Sequence, residues 1–243
     1  MQKIKTMKRT AFVIIIYIFS ILQSNGQNSL IRYNILVDEL KFIRDSLQKP
    51  ITDLSVSDDY TWLITYGKNS YSYLGIGNNL KNQLKTLSNN NEQILRAQIL
   101  DTNTWIILTN KRVYYHGLRK EVIQALSQLK KFRVRAKFIR LWYNSFIIFY
   151  QNNKFLAGNI NKRVYKNLNY LIRKGRNIKD IEINGHSFII IFGRKGILGY
   201  KLSTPLQQAL HKLQQNVKTI ELIRYLPNGK WLIIYDRNKF LVV

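Results

Sequence analysis

Short apolar runs that begin with an aromatic residue recur at an almost constant distance along the chain. Their first residues are separated by 43, 41, 42 and 43 positions, a regularity that is hard to obtain by chance. A period of this size is typical of repeat proteins in which each copy forms one supersecondary unit. The repeat anchors are Trp62, Trp105, Phe146, Phe188 and Trp231. The sequence therefore predicts five copies of one module.

Each anchor lies in a run that predicts the central strand of a three-stranded meander. The run Phe188-Ile189-Ile190-Ile191-Phe192 is apolar at every position, as expected for a strand covered on both faces. Polar turns separate it from a strand-like stretch on either side. These outer stretches alternate more between polar and apolar residues, so we expect one of their faces to meet solvent. The repeats begin near residues 51, 94, 136, 178 and 220.

An amphipathic helix is predicted after each of the first four meanders. Apolar residues recur there with spacings of 4, 4 and 3, as in Leu202, Leu206, Leu210 and Leu213, which places them on one helical face. The last copy ends at its third strand. The same periodicity before Pro50 predicts an N-terminal helix over 35–49, which supplies a fifth helix.

The pattern predicts an α+β repeat protein, mainly β, made of five βββα-type modules. Five whole modules favour a propeller-like closed toroid, and an open βββα solenoid is the alternative. The strand Trp231-Leu232-Ile233-Ile234-Tyr235 and the repeat length resemble those of exported bacterial proteins with propeller-like repeats of about 42 residues. The Trp-Asp signature of WD40 repeats is absent from the sequence. The resemblance implies a propeller-type repeat fold and assigns no functional residue.

The N-terminal segment has the three parts of a secretory signal. Basic residues between Lys3 and Arg9 precede the apolar run Ala11–Leu22, and Ser24-Asn25-Gly26 provides small residues before a cleavage site at Gln27. Small residues followed directly by Gln resemble the export signals of the Bacteroidetes group. The apolar run is shorter than the roughly 20 residues that span a bilayer. We expect a signal peptide over 1–26, one repeat domain over 27–243, and a periplasmic or secreted protein without a permanent membrane span.

The composition narrows the possible chemistry. The chain contains no cysteine, which excludes disulfides, thiolate metal sites and cysteine nucleophiles. Its three histidines fall at different places in their repeats and in none of the spacings that bind zinc. Asp58 and Asp59 precede an anchor, where aspartate is a good turn residue. We therefore expect no catalytic residues, no metal and no cofactor, and we expect a protein that is not an enzyme.

Positive charge is the strongest chemical feature of the sequence. The formal charge is +26, and removing the four cations of the first 26 residues leaves +22. From Thr102 to Lys179 there are 18 Lys or Arg residues and a single acid, Glu121. Basic side chains among aromatics can bind polyanions through charge and stacking. The candidate binding residues are Lys130, Lys131, Arg133, Arg135, Lys137, Arg140, Trp142 and Tyr143. If the segment is extended, Arg133, Arg135 and Lys137 would share one face.

These observations favour a non-catalytic interaction scaffold exported to the cell envelope or exterior. Its partner would be a protein or an anionic polymer of the envelope, and nucleic acid is less favoured. The first alternative is a polyanion-binding protein for nucleic acid, anionic glycan or lipid. The second alternative is a hydrolase that would use Asp58, Asp59 and a histidine from another repeat.

Overall fold

The structure is a computed structural model that describes residues 25–216 and 219–243. Within these residues it contains five separate three-stranded antiparallel sheets and five α-helices, which confirms the predicted five strand-rich modules. Helix α1 (Asn25–Phe42) precedes the first sheet, and one helix follows each of the first four sheets. The expected signal segment lies outside the described residues except for Asn25 and Gly26, which begin α1.

The element bounds follow the predicted order. The first strands of the sheets are β1 (Ile51–Val56), β4 (Ile94–Ile99), β7 (Ala136–Trp142), β10 (Ile178–Asn184) and β13 (Ile220–Tyr225). The second strands are β2 (Trp62–Tyr66), β5 (Trp105–Thr109), β8 (Ser145–Tyr150), β11 (Ser187–Phe192) and β14 (Trp231–Tyr235). The third strands are β3 (Ser70–Leu74), β6 (Val113–His116), β9 (Phe155–Gly158), β12 (Gly196–Tyr200) and β15 (Lys239–Val242). The later helices are α2 (Asn78–Asn89), α3 (Lys120–Lys131), α4 (Lys162–Arg173) and α5 (Thr204–Asn216).

The second strand is the centre of each sheet, and the five anchors lie at or next to its first residue. All five anchor side chains are buried, from Trp62 and Phe188 at 2% exposed to Trp231 at 7%. The helices bury the apolar stripe read from the sequence, as Leu80, Leu84 and Leu87 do in α2. The N-terminal helix begins ten residues earlier than predicted and continues into a π-helical turn over Ile43–Leu47.

Each helix packs between two consecutive sheets and joins them in one apolar core. Helix α2 buries Leu84 against Leu63 of the first sheet and Trp105 of the second. Helix α1 has the same position between the last sheet and the first one. There Leu40 shares a core with Leu232 of the fifth sheet, and also with Trp62 and Ile64 of the first. The first and last modules are therefore in direct contact.

Side chains, rather than backbone pairing, connect the first strands of neighbouring modules. Ser55 Oγ accepts from the Ile99 N–H at 2.9 Å, and Gln98 Oε1 accepts from the Leu141 N–H at 2.8 Å. The same kind of contact joins the last module to the first, where Arg224 Nε donates to the Leu54 carbonyl at 2.6 Å. The predicted solvent-facing side of these first strands is thus wrong, because neighbouring first strands cover it.

All five first strands carry an irregularity at the same place. In every sheet the pairing of the first and second strands shifts register after the first residue, which leaves one bulged residue. The bulged residues are Thr52, Leu95, Lys137, Lys179 and Glu221. A bulge redirects a side chain. The five bulged residues therefore lie at the same end of their modules, although their side chains differ in type.

Candidate functional site

Four charged residues from four different modules meet in the interior. We call Asp53, Arg140, Asp180 and Arg224 the central charge cluster. Arg140 lies between both aspartates, with Nε 2.9 Å from Asp180 Oδ1 and Nη2 3.2 Å from Asp53 Oδ1. Arg224 also contacts both, with Nη1 2.5 Å from Asp180 Oδ2 and Nη2 2.6 Å from Asp53 Oδ1. Both aspartates are fully buried.

Backbone groups complete the hydrogen bonding of the buried aspartates. Asp53 Oδ2 accepts from the Ala97 N–H at 3.1 Å, and Asp180 Oδ2 accepts from the Ile223 N–H at 3.2 Å. Each aspartate therefore links its own first strand to the first strand of the next module. Buried ions need this kind of full pairing, since an uncompensated charge in the interior costs several kcal/mol.

The electrostatics of the cluster keep its acids ionised. Burial opposes ionisation of Asp53 and Asp180, but the arginines around them outweigh it and hold both pKa values below the ordinary range. Burial likewise opposes the charge on Arg140, and the two aspartates raise its pKa despite that. The cluster is thus a charge-neutral unit of two aspartates and two arginines, in which the carboxylate oxygens face arginine and backbone N–H donors.

Glu182 lies beside the cluster and behaves differently. Trp142 Nε1 donates to its Oε1 at 3.3 Å, and Arg224 Nη1 lies 3.7 Å from its Oε2. Burial raises the pKa of Glu182 to about 7, although Arg224 and Arg140 favour the charged form. Glu182 therefore changes between its protonated and ionised forms near neutral pH, whereas Asp53 and Asp180 stay ionised.

A cavity of about 460 Å³ opens where the five bulged residues meet. We call it the bulge cavity. Besides those five residues, its lining includes Arg96 and Arg237. Arg96 donates from Nη1 to the Thr52 carbonyl. Lys137 Nζ donates to the side-chain oxygens of Asn153, at 3.2 Å, and Asn177. The lining carries four cations and one acid, Glu221, which lies 3.6 Å from Lys179 Nζ.

The predicted binding residues do not form one surface. Lys130 and Lys131 are exposed at the end of α3, and Arg133 and Arg135 are exposed in the loop that follows. The shared face expected of Arg133, Arg135 and Lys137 required an extended segment, and residues 133–135 are not part of a strand. The strand begins only at Ala136, and Arg133 has a left-handed φ of 55°.

Arg140 is the clearest correction, because it is 2% exposed and belongs to the central charge cluster. Trp142 is half-buried against Glu182, and Tyr143 is 58% exposed in the turn after β7. These aromatics lie at the opposite end of β7 from Lys137, about 15–20 Å along the strand. They line a smaller cavity of about 200 Å³ together with Asp101 and Arg119.

Asp58 and Asp59, the acids that the sequence offered for a hydrolase, lie in the turn between β1 and β2. Asp59 accepts from the N–H and the hydroxyl of Thr61, both at 3.0 Å, and lies 3.5 Å from Arg32. Sequence reasoning missed three members of the central charge cluster, Asp53, Asp180 and Arg224. A signal for them exists. Charges stand inside otherwise apolar strands, as in Ile-Lys-Asp-Ile and Leu-Ile-Arg-Tyr, and Asp53 and Asp180 occupy the same strand position in two repeats.

Comparisons with known proteins give little further information. No family model and no curated protein match the chain. A crystal structure of Kluyvelomyces marxianus Hsv2 is similar to it at 9% sequence identity, with a TM-score of 0.19. That match covers 80% of this chain and 48% of the other, so the chain spans about half the length of that structure. A TM-score this low carries no argument about the fold.

Two further findings hold for residues 25–216 and 219–243, the part of the chain that the structure describes. No group of three or more His, Cys, Asp or Glu side chains among them is arranged to hold a metal ion. None of their helices is both long and apolar enough to cross a membrane.

Proposed function

We propose that this protein is a non-catalytic interaction scaffold, exported to the cell envelope or exterior, whose five modules close into a propeller-like ring. One observation carries the non-catalytic part. The buried carboxylates of Asp53 and Asp180 are each held by two arginines and a backbone N–H, so these groups serve the architecture. A catalytic acid or base would need a free position facing a substrate.

The contacts between the first and last modules support ring closure. Helix α1 packs between the fifth and first sheets just as the other helices pack between their neighbours. Arg224 donates to the Leu54 carbonyl, and the Ile51 N–H donates to the Arg237 carbonyl at 2.8 Å. An open solenoid would leave its first and last modules far apart. In the ring, the central charge cluster and the bulge cavity both lie on the axis.

A scaffold of this kind would bind through its loops and exposed strand edges. The test is an affinity capture with the full chain, tagged at its C-terminus, from detergent-solubilised envelopes under a salt series. A defined protein that stays bound at high salt would support the scaffold. Sequencing the N-terminus of the exported protein checks the compartment, because we expect cleavage before Gln27. An intact Met1 on a protein found only inside the cell would contradict export.

A second candidate function, polyanion binding, is favoured by the distribution of cations. The turns between second and third strands all lie beside the starts of the first strands, where Gly67 N–H donates to the Pro50 carbonyl and Gly193 N–H to that of Asn177. We call this side of the molecule the turn end. Each of the five turns, with the residue after it, has an exposed cation: Lys68, Lys111, Lys154, Arg194 and Arg237.

The capture experiment separates the two candidates. Bound material that is only nucleic acid, glycan or glycolipid, and that is released as salt rises, would favour the polyanion function. Exposed charge contacts weaken steeply with ionic strength, whereas a packed protein interface does not.

A further inference from the structure

The charged residues that line the bulge cavity are mostly cations, as in sites that bind anions. Four cations and one acid line it, so its side chains carry a net charge of +3. Among the described residues, no carboxylate lies within ion-pair distance of Lys137, Arg237 or Arg96. The nearby Asp53 and Asp180 each already face two arginines of the central charge cluster. Nothing in the described lining balances these three cations.

The cations also act on each other. Burial and the charge of Arg96 both lower the pKa of Lys137. Burial lowers the pKa of Arg96, although Asp53 opposes this shift. Cations placed this close together create a positive potential in the cavity, which attracts an anion. The partners that Lys137 does have are amide oxygens of Asn153 and Asn177, which orient the ammonium group without neutralising it.

The geometry places this charge where a ligand can reach it. The five bulges occur at the same position in every module and bring Lys137 and Lys179 to one opening. Bulges are frequent next to binding sites because they redirect side chains. A volume of about 460 Å³ is within the range of small-ligand pockets and exceeds what a single phosphate needs. Leu95, which is 37% exposed, offers apolar contact to the group that carries the anion.

We propose that the bulge cavity binds the phosphate group of a phosphate monoester, held by Lys137, Arg237, Arg96 and Lys179. A phosphate monoester carries a charge of about −1.5 to −2 at pH 7, which matches the excess positive charge better than a single carboxylate does. Lysine acts on phosphate as a point charge, and arginine adds directional N–H donors. This site does not depend on a protein partner, so failure of the envelope capture leaves it standing.

The test is calorimetric titration of the full chain with methyl phosphate at low salt. We expect saturable binding by the wild type. The double variant Lys137→Gln/Arg237→Gln should weaken binding by roughly tenfold or more, because two charges near the phosphate are lost. The matched control is Lys85→Gln/Lys166→Gln, which removes the same charge from exposed positions of α2 and α4 that do not line the cavity. This control should change the affinity by less than about threefold.

For a third variant we expect the affinity for methyl phosphate to rise, not to fall. Glu221→Gln removes the one acid of the lining and should tighten methyl phosphate binding several-fold. Thermal melting of each variant checks that the fold is retained. The proposal is overturned if the folded wild type shows no saturable binding. It is also overturned if the control double variant loses as much affinity as the cavity double variant, since the charge would then act diffusely.

Vesicles identify the molecule that carries the phosphate. If vesicles of phosphatidic acid in phosphatidylcholine bind the wild type, lose binding in Lys137→Gln/Arg237→Gln and are displaced by methyl phosphate, a lipid headgroup is the source. If methyl phosphate binds and the vesicles do not, the source is a soluble phosphate monoester. Either result supports the cavity as the site.

Discussion

Replacing Arg140 with methionine should destabilise the protein strongly, although Arg140 is one of many arginines in a very basic chain. Its guanidinium donates to both buried aspartates, at distances from 2.8 to 3.4 Å. Methionine keeps the apolar stem and removes the charge, which leaves Asp53 and Asp180 with Arg224 as their remaining direct ion-pair partner. Removing one partner of a buried ion pair costs about 3–5 kcal/mol in unfolding free energy. For a domain of this size that corresponds to a melting temperature lower by about 6–20 °C.

The assay is urea unfolding followed by circular dichroism, with thermal melting as a second probe. Lys131→Met is the matched control, because it makes the same kind of change at an exposed position that ends α3. We expect it to alter the unfolding free energy by less than about 0.5 kcal/mol. Equal stabilities for the two variants would refute the buried cluster. Loss of partner binding by Arg140→Met at unchanged stability would return Arg140 to the surface role that the sequence suggested.

Three further predictions test other parts of the structure. Glu182→Gln should change how stability depends on pH. The raised pKa of about 7, against an ordinary value of 4.5, means that the folded state holds an extra proton between these values, so wild-type stability should fall relative to the variant as pH rises through that window. Parallel urea-unfolding profiles from pH 4 to 8 would contradict this. Phe188→Ala should cost about 3–5 kcal/mol, because the ring is buried against Tyr200, and an unchanged melting temperature would show that the ring is not in the core. Gly77→Ala should cost about 1–3 kcal/mol in chemical unfolding, because its Cβ would lie 2.3 Å from the Thr102 carbonyl oxygen of the next module, and an unperturbed variant would mean that this contact between modules is looser than described.

The modules could be predicted from the sequence because their signals are local. The anchors repeat at a fixed period, the central strands are apolar on both faces, and the helices carry apolar residues at helical spacing. Each of these patterns marks residues that are buried within one module or against the next module, so it can be recognised in a short stretch of sequence. The start of α1 was missed, since residues 25–34 carry few apolar positions at helical spacing to mark a buried face.

The centre of the molecule could not be predicted in the same way. A polar residue that alternates with apolar ones in a strand indicates a solvent-facing side, and that is how Asp53 and Asp180 look in isolation. Their burial depends on arginines 87 and 44 residues further along the chain, Arg140 and Arg224 respectively, and no local pattern connects them. For the same reason Arg140 was grouped with the exposed cations near it in sequence, and the bulge cavity was not foreseen.

Closure of the five modules into a ring is the central claim, because only a closed ring places the central charge cluster and the bulge cavity on one axis. The absence of cysteine allows spin labels to be placed at chosen pairs of positions. Lys68, Lys111 and Arg237 occupy equivalent, exposed turn positions in the first, second and fifth modules. The most direct measurement is the distance between labels at 68 and 237, compared with that between labels at 68 and 111, by pulsed electron spin resonance. A closed ring predicts similar distances for the two pairs. An open stack, with sheets about 10 Å apart, would separate the first and fifth modules by about 40 Å and contradict the account.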